Sequence, residues 1–194
     1  IIWCTTRDYV WVFNMETREF EYDITDRLEA MGVNGSVKNM AIDDDGRYWF
    51  FTEDRKVSIC DRKGKTKTTM LPAGMTLPIE MKQHKDQIWI MSLNGMLAEY
   101  DIKLEDFRMA HSIPTGFPVS SSSRMAMDIS SSGNIWLMFD KDLVKYDSAN
   151  GSFSNISSML PNSRDLYTSI AIDSRDDIWV GTARSGVSII SDEG

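Results

Sequence analysis

Long apolar runs, a cysteine framework, clustered histidines and a surplus of basic charge are all missing from this sequence. Cys4 and Cys60 are its two cysteines. Two thiols cannot staple a domain of 194 residues, so no disulfide framework is expected. Each lies in an apolar run and reads as a small buried hydrophobe. The two histidines, His84 and His111, belong to no HExxH or paired-Cys spacing, so no metal site is expected. They read as surface residues of a turn and an outer strand, in different repeats. A nucleophile elbow, a phosphate-cradling Gly-rich loop and a kinase signature are also lacking, so no catalytic residue and no cofactor is assigned. Lys and Arg number 21 against 29 Asp and Glu, a formal charge of −8. Such a balance repels phosphate backbones and argues against nucleic acid as a partner. No apolar run approaches the roughly 20 residues that cross a bilayer, and no signal peptide is present. The sequence starts inside the apolar stretch Ile1-Ile2-Trp3 without an initiator Met. Targeting, and any contact with a membrane, is therefore expected to belong to a longer parent chain.

What the sequence does have is an ordinary globular balance, 42% hydrophobic and 26% charged, with a tryptophan repeat laid over it. Trp3, Trp49, Trp89, Trp136 and Trp179 are separated by 46, 40, 47 and 43 residues; Trp11 falls outside the series. A polar turn precedes each internal member, as in Asp43-Asp44-Asp45-Gly46 and Ser174-Arg175-Asp176-Asp177. Around each lies a short apolar run, such as Tyr48-Trp49-Phe50-Phe51 or Ile135-Trp136-Leu137-Met138. Apolar runs this short, without alternation, suit strands buried on both faces.

Further strands follow from the turns. After each Trp strand a second run is predicted at Val10–Phe13, Val57–Cys60, Met96–Tyr100, Leu143–Tyr146 and Val187–Ile190. Asp61, Asp101 and Asp147 close three of these, because an Asp side chain bonds the backbone two residues on. More polar outer strands come next at Phe20–Tyr22, Phe107–Ile113 and Phe153–Ile156, and inner strands precede the Trp at Val37–Ile42, Ile79–Met81, Met125–Ile129 and Thr168–Ile172. Thr25–Met31, followed by Gly32, is the best candidate for a helical turn. The predicted fold is all-β: β-propeller blades with strands A to D from the axis outwards and Trp on B. The repeats run 1–36, 37–78, 79–123, 124–166 and 167–194 within one propeller segment. The first repeat lacks an inner strand and the last an outer one, so an incomplete arc of a larger ring is expected. Its partners would be the remaining blades of the parent and, through open blade edges, other copies.

The turn-and-Trp pattern, Asp-x-x-Gly-x-aliphatic-Trp, resembles the two-component regulator propeller repeat. Its best copies are Ile42 to Trp49 and Ile170 to Thr182, continued through Ser185-Gly186-Val187; Asp128 to Trp136 is a stretched copy. The third repeat departs, with Gln83 where the family favours Asp and Asp86 where it favours Gly. The resemblance covers nearly the whole chain. It implies the periplasmic sensor region of a Bacteroides-type hybrid two-component system, in which the propellers precede a membrane span and a histidine kinase and detect oligosaccharides. A protein-interaction scaffold is the alternative. A propeller lyase of the streptogramin type fits less well, because that family works with histidine and a divalent metal.

On this reading the B–C turns and D–A connections share one rim, where loops on a rigid scaffold commonly bind ligands. The B–C turns hold Arg7, Arg55, Asn94, Lys141 and Arg184. The D–A connections and inner strands add Lys38, Arg124 and Tyr167. Arginine forks suit carboxylate, sulfate or sugar hydroxyls. Asp8, Asp54, Asp140 and Asp142 lie in the same turns and offset part of that field. Trp11 and most of the 13 methionines read as core, and the Asp43–Asp45 cluster as a hairpin turn rather than a calcium loop.

Overall fold

In a computed structural model, residues 1–5, 10–114, 124–139, 141–160 and 165–191 are described. They form five antiparallel sheets, with one short α-helix and one 3-10 turn beside them. Contacts divide the chain into two compact units, Ile1–Pro78 and Ile79–Gly194, at the expected boundary between the second and third repeats.

The first unit holds two sheets. β1 (Ile2–Thr5), β2 (Val10–Asn14) and β3 (Glu19–Glu21) pair in that order. The helix α1 (Thr25–Ala30) then leads to β4 (Val37–Ile42), β5 (Tyr48–Thr52), β6 (Lys56–Cys60) and β7 (Thr66–Met70), again paired in order. No side-chain hydrogen bond caps α1 from Ile24; instead the Asp23 carboxylate accepts the Thr25 N–H at 3.1 Å. The helix ends at Met31, and Gly32 takes the left-handed φ of 71° that follows it.

The second unit holds three sheets of the same kind. β8 (Pro78–His84), β9 (Gln87–Ser92), β10 (Met96–Asp101) and β11 (Asp106–Ser112) make the first. β12 (Met125–Ile129), β13 (Ile135–Phe139), β14 (Asp142–Asp147) and β15 (Ser152–Asn155) make the second. β16 (Tyr167–Ile172), β17 (Ile178–Thr182) and β18 (Val187–Ile190) make the third. These are propeller blades, with the two middle strands of each four largely buried, the innermost half-buried and the outermost the most exposed. The first and last sheets have three strands, as the repeat pattern requires.

Within each unit, blades pack face to face through the tryptophan strand. Alternation splits β13 between two neighbours. Ile135, Leu137 and Phe139 join Trp89, Met91 and Leu97 of the preceding blade, while Trp136 and Met138 join Ile178, Val180 and Ile190 of the following one. In the first unit Trp3 lies edge-on to Phe50, with ring centroids 5.3 Å apart. Trp49, Trp89 and Trp136 are fully buried as expected. Trp3 is half-buried, and the expectation fails at Trp179, which is 38% exposed.

The turn before each Trp explains how the indole is held. Asp43 is buried and accepts three hydrogen bonds: from the Arg47 N–H at 2.8 Å, Arg47 Nε at 2.6 Å, and Trp49 Nε1 at 2.8 Å. Asp173 accepts Trp179 Nε1 at 3.2 Å in the same way. The turn needs glycine at 46, where φ is 73° and a Cβ would collide with the Arg62 guanidinium. Two blades lack this carboxylate. The equivalent of Asp43 in the fourth blade is Ser130, whose N–H bonds Asn134 O as that of Asp43 bonds Arg47 O. Asp128, the acid matched to the repeat from sequence, sits two residues earlier. There it accepts the Ile172 N–H of the next blade at 2.7 Å and faces Lys82 of the previous one at 3.5 Å. In the third blade Gln83 turns back to Lys85 O. Accordingly Trp89 Nε1 and Trp136 Nε1 are buried without a partner among the described residues.

The other turns follow the sequence closely. Asp61, Asp101 and Asp147 each accept backbone N–H groups two or more residues on, and Asn14 does the same in the first blade. Trp136→Ala should cost about 3–5 kcal/mol in denaturant unfolding, because the packed site cannot collapse onto the vacated volume. Trp179→Ala should cost less than half as much.

Candidate functional site

Within the second blade and within the fifth, the B–C turn meets the D–A connection. In the second blade the Glu53 N–H donates to Ser36 O at 2.9 Å, and Lys38 Nζ lies 3.4 Å from Glu53 Oε2. In the fifth, the Ala183 N–H donates to Leu166 O at 2.9 Å, and Asp165 Oδ2 accepts the Arg184 N–H and the Ser185 hydroxyl. A hydroxyl at the end of the Trp strand shapes these turns. Thr52, Ser92 and Thr182 each donate to the carbonyl four residues on. That signal, a Ser or Thr three residues after the Trp, is visible in the sequence but was not read there.

The proposed rim residues fall in both units and differ in what their side chains do. Arg7, with Asp8 and Asp140, lies outside the described residues. Lys38 lines a cavity of about 210 Å³ with Tyr22, Asp23, Thr25 and Ser36. Arg55 turns inward: its Nη2 donates to Leu71 O at 3.3 Å and to Pro72 O at 2.8 Å, tying the B–C turn to the end of β7. Asn94 Oδ1 accepts the Ser92 hydroxyl at 2.7 Å. Lys141, Arg124 and Arg184 are exposed. Tyr167 is buried in the core between the fourth and fifth blades, and burial pushes its phenol up. The positive field is further offset by Lys56 against Asp54 at 2.5 Å, which holds the Asp54 carboxyl below its usual range.

Sequence reasoning missed a larger hollow in the first unit. A cavity of about 520 Å³ is lined by Trp3, Tyr48, Met31, Ala30, Ile1 and the charged trio Glu21, Asp26 and Arg27. That volume is within the usual range for small-molecule sites. Arg27 Nη2 meets Glu21 Oε2 at 2.6 Å, but Arg27 Nε and Trp3 Nε1 are both buried without a partner among the described residues. One guanidinium, two carboxylates and two aromatic side chains thus line one space. No spacing signal announces it, because its lining is gathered from β1, β3, α1 and β5.

The histidines also differ from expectation. Both stand in the third blade, not in different repeats: His84 ends β8 and His111 lies on β11, the opposite edge strands of one sheet. His84 packs beside Gly133, and desolvation lowers its imidazole below the usual value. His111 Nε2 is 2.8 Å from the Tyr146 hydroxyl of the next blade. They do not converge on a common point. Cys60 is buried, which pushes its thiol up, while Cys4 is half-buried.

Comparison with known proteins gives the fold. No family model matches the chain, and no curated protein sequence matches it. Among solved structures it is similar to the extracellular domain assigned to the hybrid two component system BT3049 of B. thetaiotaomicron. That match has 16% identity and a TM-score of 0.62, over 98% of this chain and 25% of that one. The chain therefore spans about a quarter of the length of that relative. It is also similar to virginiamycin B lyase from Staphylococcus aureus, with 16% identity and a TM-score of 0.62, over 97% of this chain and 65% of that one. The WD40 propeller domain of Doa1 is a third, with 16% identity and a TM-score of 0.60, over 82% and 52%. Sensor, enzyme and scaffold share this fold, so function rests on the site. No helix among the described residues is long and apolar enough to cross a membrane.

The contrast between two rim arginines is measurable. Arg55→Ala should lower stability by about 0.5–1.5 kcal/mol through the lost carbonyl bonds, whereas Arg184→Ala should leave the unfolding midpoint unchanged.

Proposed function

We propose that this chain is a non-catalytic, ligand-sensing propeller segment of a periplasmic sensor, which detects an oligosaccharide or related hydroxylated molecule and signals to a kinase outside the chain. The likeness to an extracellular domain of a hybrid two component system supports the setting. The observation that carries the ligand is the 520 Å³ cavity of the first unit. Hydroxyl groups accept from the Arg27 guanidinium and donate to the Glu21 and Asp26 carboxylates, while an apolar ring face meets Trp3 or Tyr48. Two carboxylates against one guanidinium leave the cavity net negative, so a neutral hydroxylated ligand fits it better than an anion.

The scaffold reading is supported by the WD40 likeness. The lyase reading is the weaker, because His84 and His111 stand on opposite edges of one sheet.

Calorimetric titration of neutral and sulfated oligosaccharides into the chain decides between these readings. A neutral glycan should bind, and Asp26→Ala and Arg27→Gln should each weaken it about tenfold, or about 1.4 kcal/mol. Lys38→Ala and Arg184→Ala on the rim should leave it unchanged. Loss of binding in the rim variants alone would move the site to the rim. No binding by any glycan would favour the scaffold.

A further inference from the structure

Three asparagines of the chain stand directly before a glycine: Asn34-Gly35, Asn94-Gly95 and Asn150-Gly151. Asparagine is a thermolabile residue. A following glycine exposes it most, because no Cβ shields the next peptide nitrogen and the backbone turns freely towards it. The three pairs have the same chemistry and differ in what holds them.

Two of the pairs are locked. In the B–C turn of the third blade the Gly95 N–H donates to Ser92 O at 2.9 Å, and Asn94 Oδ1 accepts the Ser92 hydroxyl at 2.7 Å. In the C–D turn of the fourth blade the Gly151 N–H donates to Asp147 O at 2.8 Å. Asn150 is held at both ends of its amide: Nδ2 donates to Asp147 Oδ2 at 2.8 Å, and Oδ1 accepts the Ser152 N–H at 2.9 Å. A glycine nitrogen bonded to a carbonyl keeps its proton, and a tied amide cannot swing over it. Asn34-Gly35 has neither restraint. It lies between α1 and β4, with both residues exposed. Among the described residues no hydrogen bond engages the Asn34 amide or the Gly35 N–H. Gly35 takes a left-handed φ of 105° outside any hydrogen-bonded turn.

We propose that Asn34 is a site of spontaneous covalent modification, deamidating through a cyclic imide, while the fold protects Asn94 and Asn150. The Gly35 nitrogen attacks Asn34 Cγ. That N–C bond forms, the Cγ–Nδ2 bond breaks, and the proton lost from Gly35 leaves with the amide nitrogen as ammonia. Water then opens the ring. Cleavage at Cγ gives aspartate; cleavage at the main-chain carbonyl carbon of residue 34 gives isoaspartate, with the chain routed through the side chain. No oxidant or reductant takes part. Either product adds one negative charge to the connection before β4. Gly35 lines the 210 Å³ cavity that also holds Lys38. A Cβ at Gly35 would lie 3.7 Å from Thr52 Cγ2 and 3.8 Å from Asp54 Oδ1. The charge therefore appears beside the B–C turn of the second blade, where Lys38 already faces Glu53. That turn and its neighbouring connection grow more acidic as the chain ages. The reaction needs nothing from the 520 Å³ cavity and holds whatever ligand that cavity takes.

The test is a time course on the whole chain, folded and unfolded. The folded chain is kept at body temperature in mildly alkaline buffer, sampled, and digested. Each Asn-Gly peptide is followed by mass spectrometry for the gain of one mass unit, with the aspartate and isoaspartate forms separated by chromatography. Asn34 should convert about tenfold faster than Asn94 or Asn150. In concentrated urea, where the turn bonds are gone, the three rates should converge. Asn94 or Asn150 converting as fast as Asn34 in the folded chain overturns the proposal. So does an Asn34 that stays intact, and so does a spread of rates that persists in urea, which would place the difference in the local sequence rather than in the fold.

Discussion

An acid six residues before the tryptophan ties the indole N–H to the A–B turn in the second and fifth blades, and the tryptophan strand is where one blade packs on the next. Asp43 shows the arrangement in full. Its own N–H and Oδ1 close the A–B turn, and its Oδ2 accepts both Arg47 Nε at 2.6 Å and the Trp49 indole N–H at 2.8 Å. A buried indole N–H left unanswered costs about 1–3 kcal/mol, so the bond serves both placement and satisfaction. The third and fourth blades dispense with the acid and leave the N–H of Trp89 and Trp136 unanswered. They compensate by packing: both indoles lie in dense clusters, and Trp89 sits edge-on to Tyr146 at 5.5 Å. Across this boundary the fourth blade gains polar ties instead, from Asp128 to the Ile172 N–H and from Asp176 to the Ser131 N–H at 2.8 Å.

Much of this fold is legible in the sequence because its determinants are local. Five tryptophans at steady spacing, short apolar runs and Asp61, Asp101 and Asp147 at C–D turns place most of the strands within a few residues of where they lie; the polar β7 (Thr66–Met70) carries no such signal. The misses are of two kinds. Some come from reading a motif by identity rather than register. Asp128 carries the family's residue type, yet Ser130 occupies the turn position, and a two-residue offset moves an acid from the indole to the neighbouring blade. Others depend on what lies beyond the repeat. Trp179 has the same motif as Trp49 but is exposed, and Tyr167 looks like a rim residue until Leu160, Ile178 and Ile190 close around it.

The candidate site was less legible, for a related reason. Sequence spacing predicts which loops lie side by side, and the bonds from Glu53 to Ser36 and from Ala183 to Leu166 show such a meeting within the second and the fifth blade. It does not predict whether a charged side chain on that rim is available. Arg55 is consumed by two carbonyls, and Lys38 and Lys56 each face an acid. The larger cavity arises between elements far apart in sequence, where Glu21, Arg27, Trp3 and Tyr48 meet without any common period. In a repeat fold the regular part is written in the repeat, and the binding chemistry in its exceptions.

The role of the turn carboxylate is open to a double-mutant cycle on Asp43 and Trp49. Asp43→Ala, Trp49→Phe and the double variant are compared with the parent chain by urea unfolding. The indole bond to a charged acceptor predicts a coupling of about 1.5–3 kcal/mol, so that the double variant loses less than the two single losses combined. Losses that add to within about 0.3–0.5 kcal/mol would mean that the carboxylate closes the turn without holding the ring, and would contradict the account.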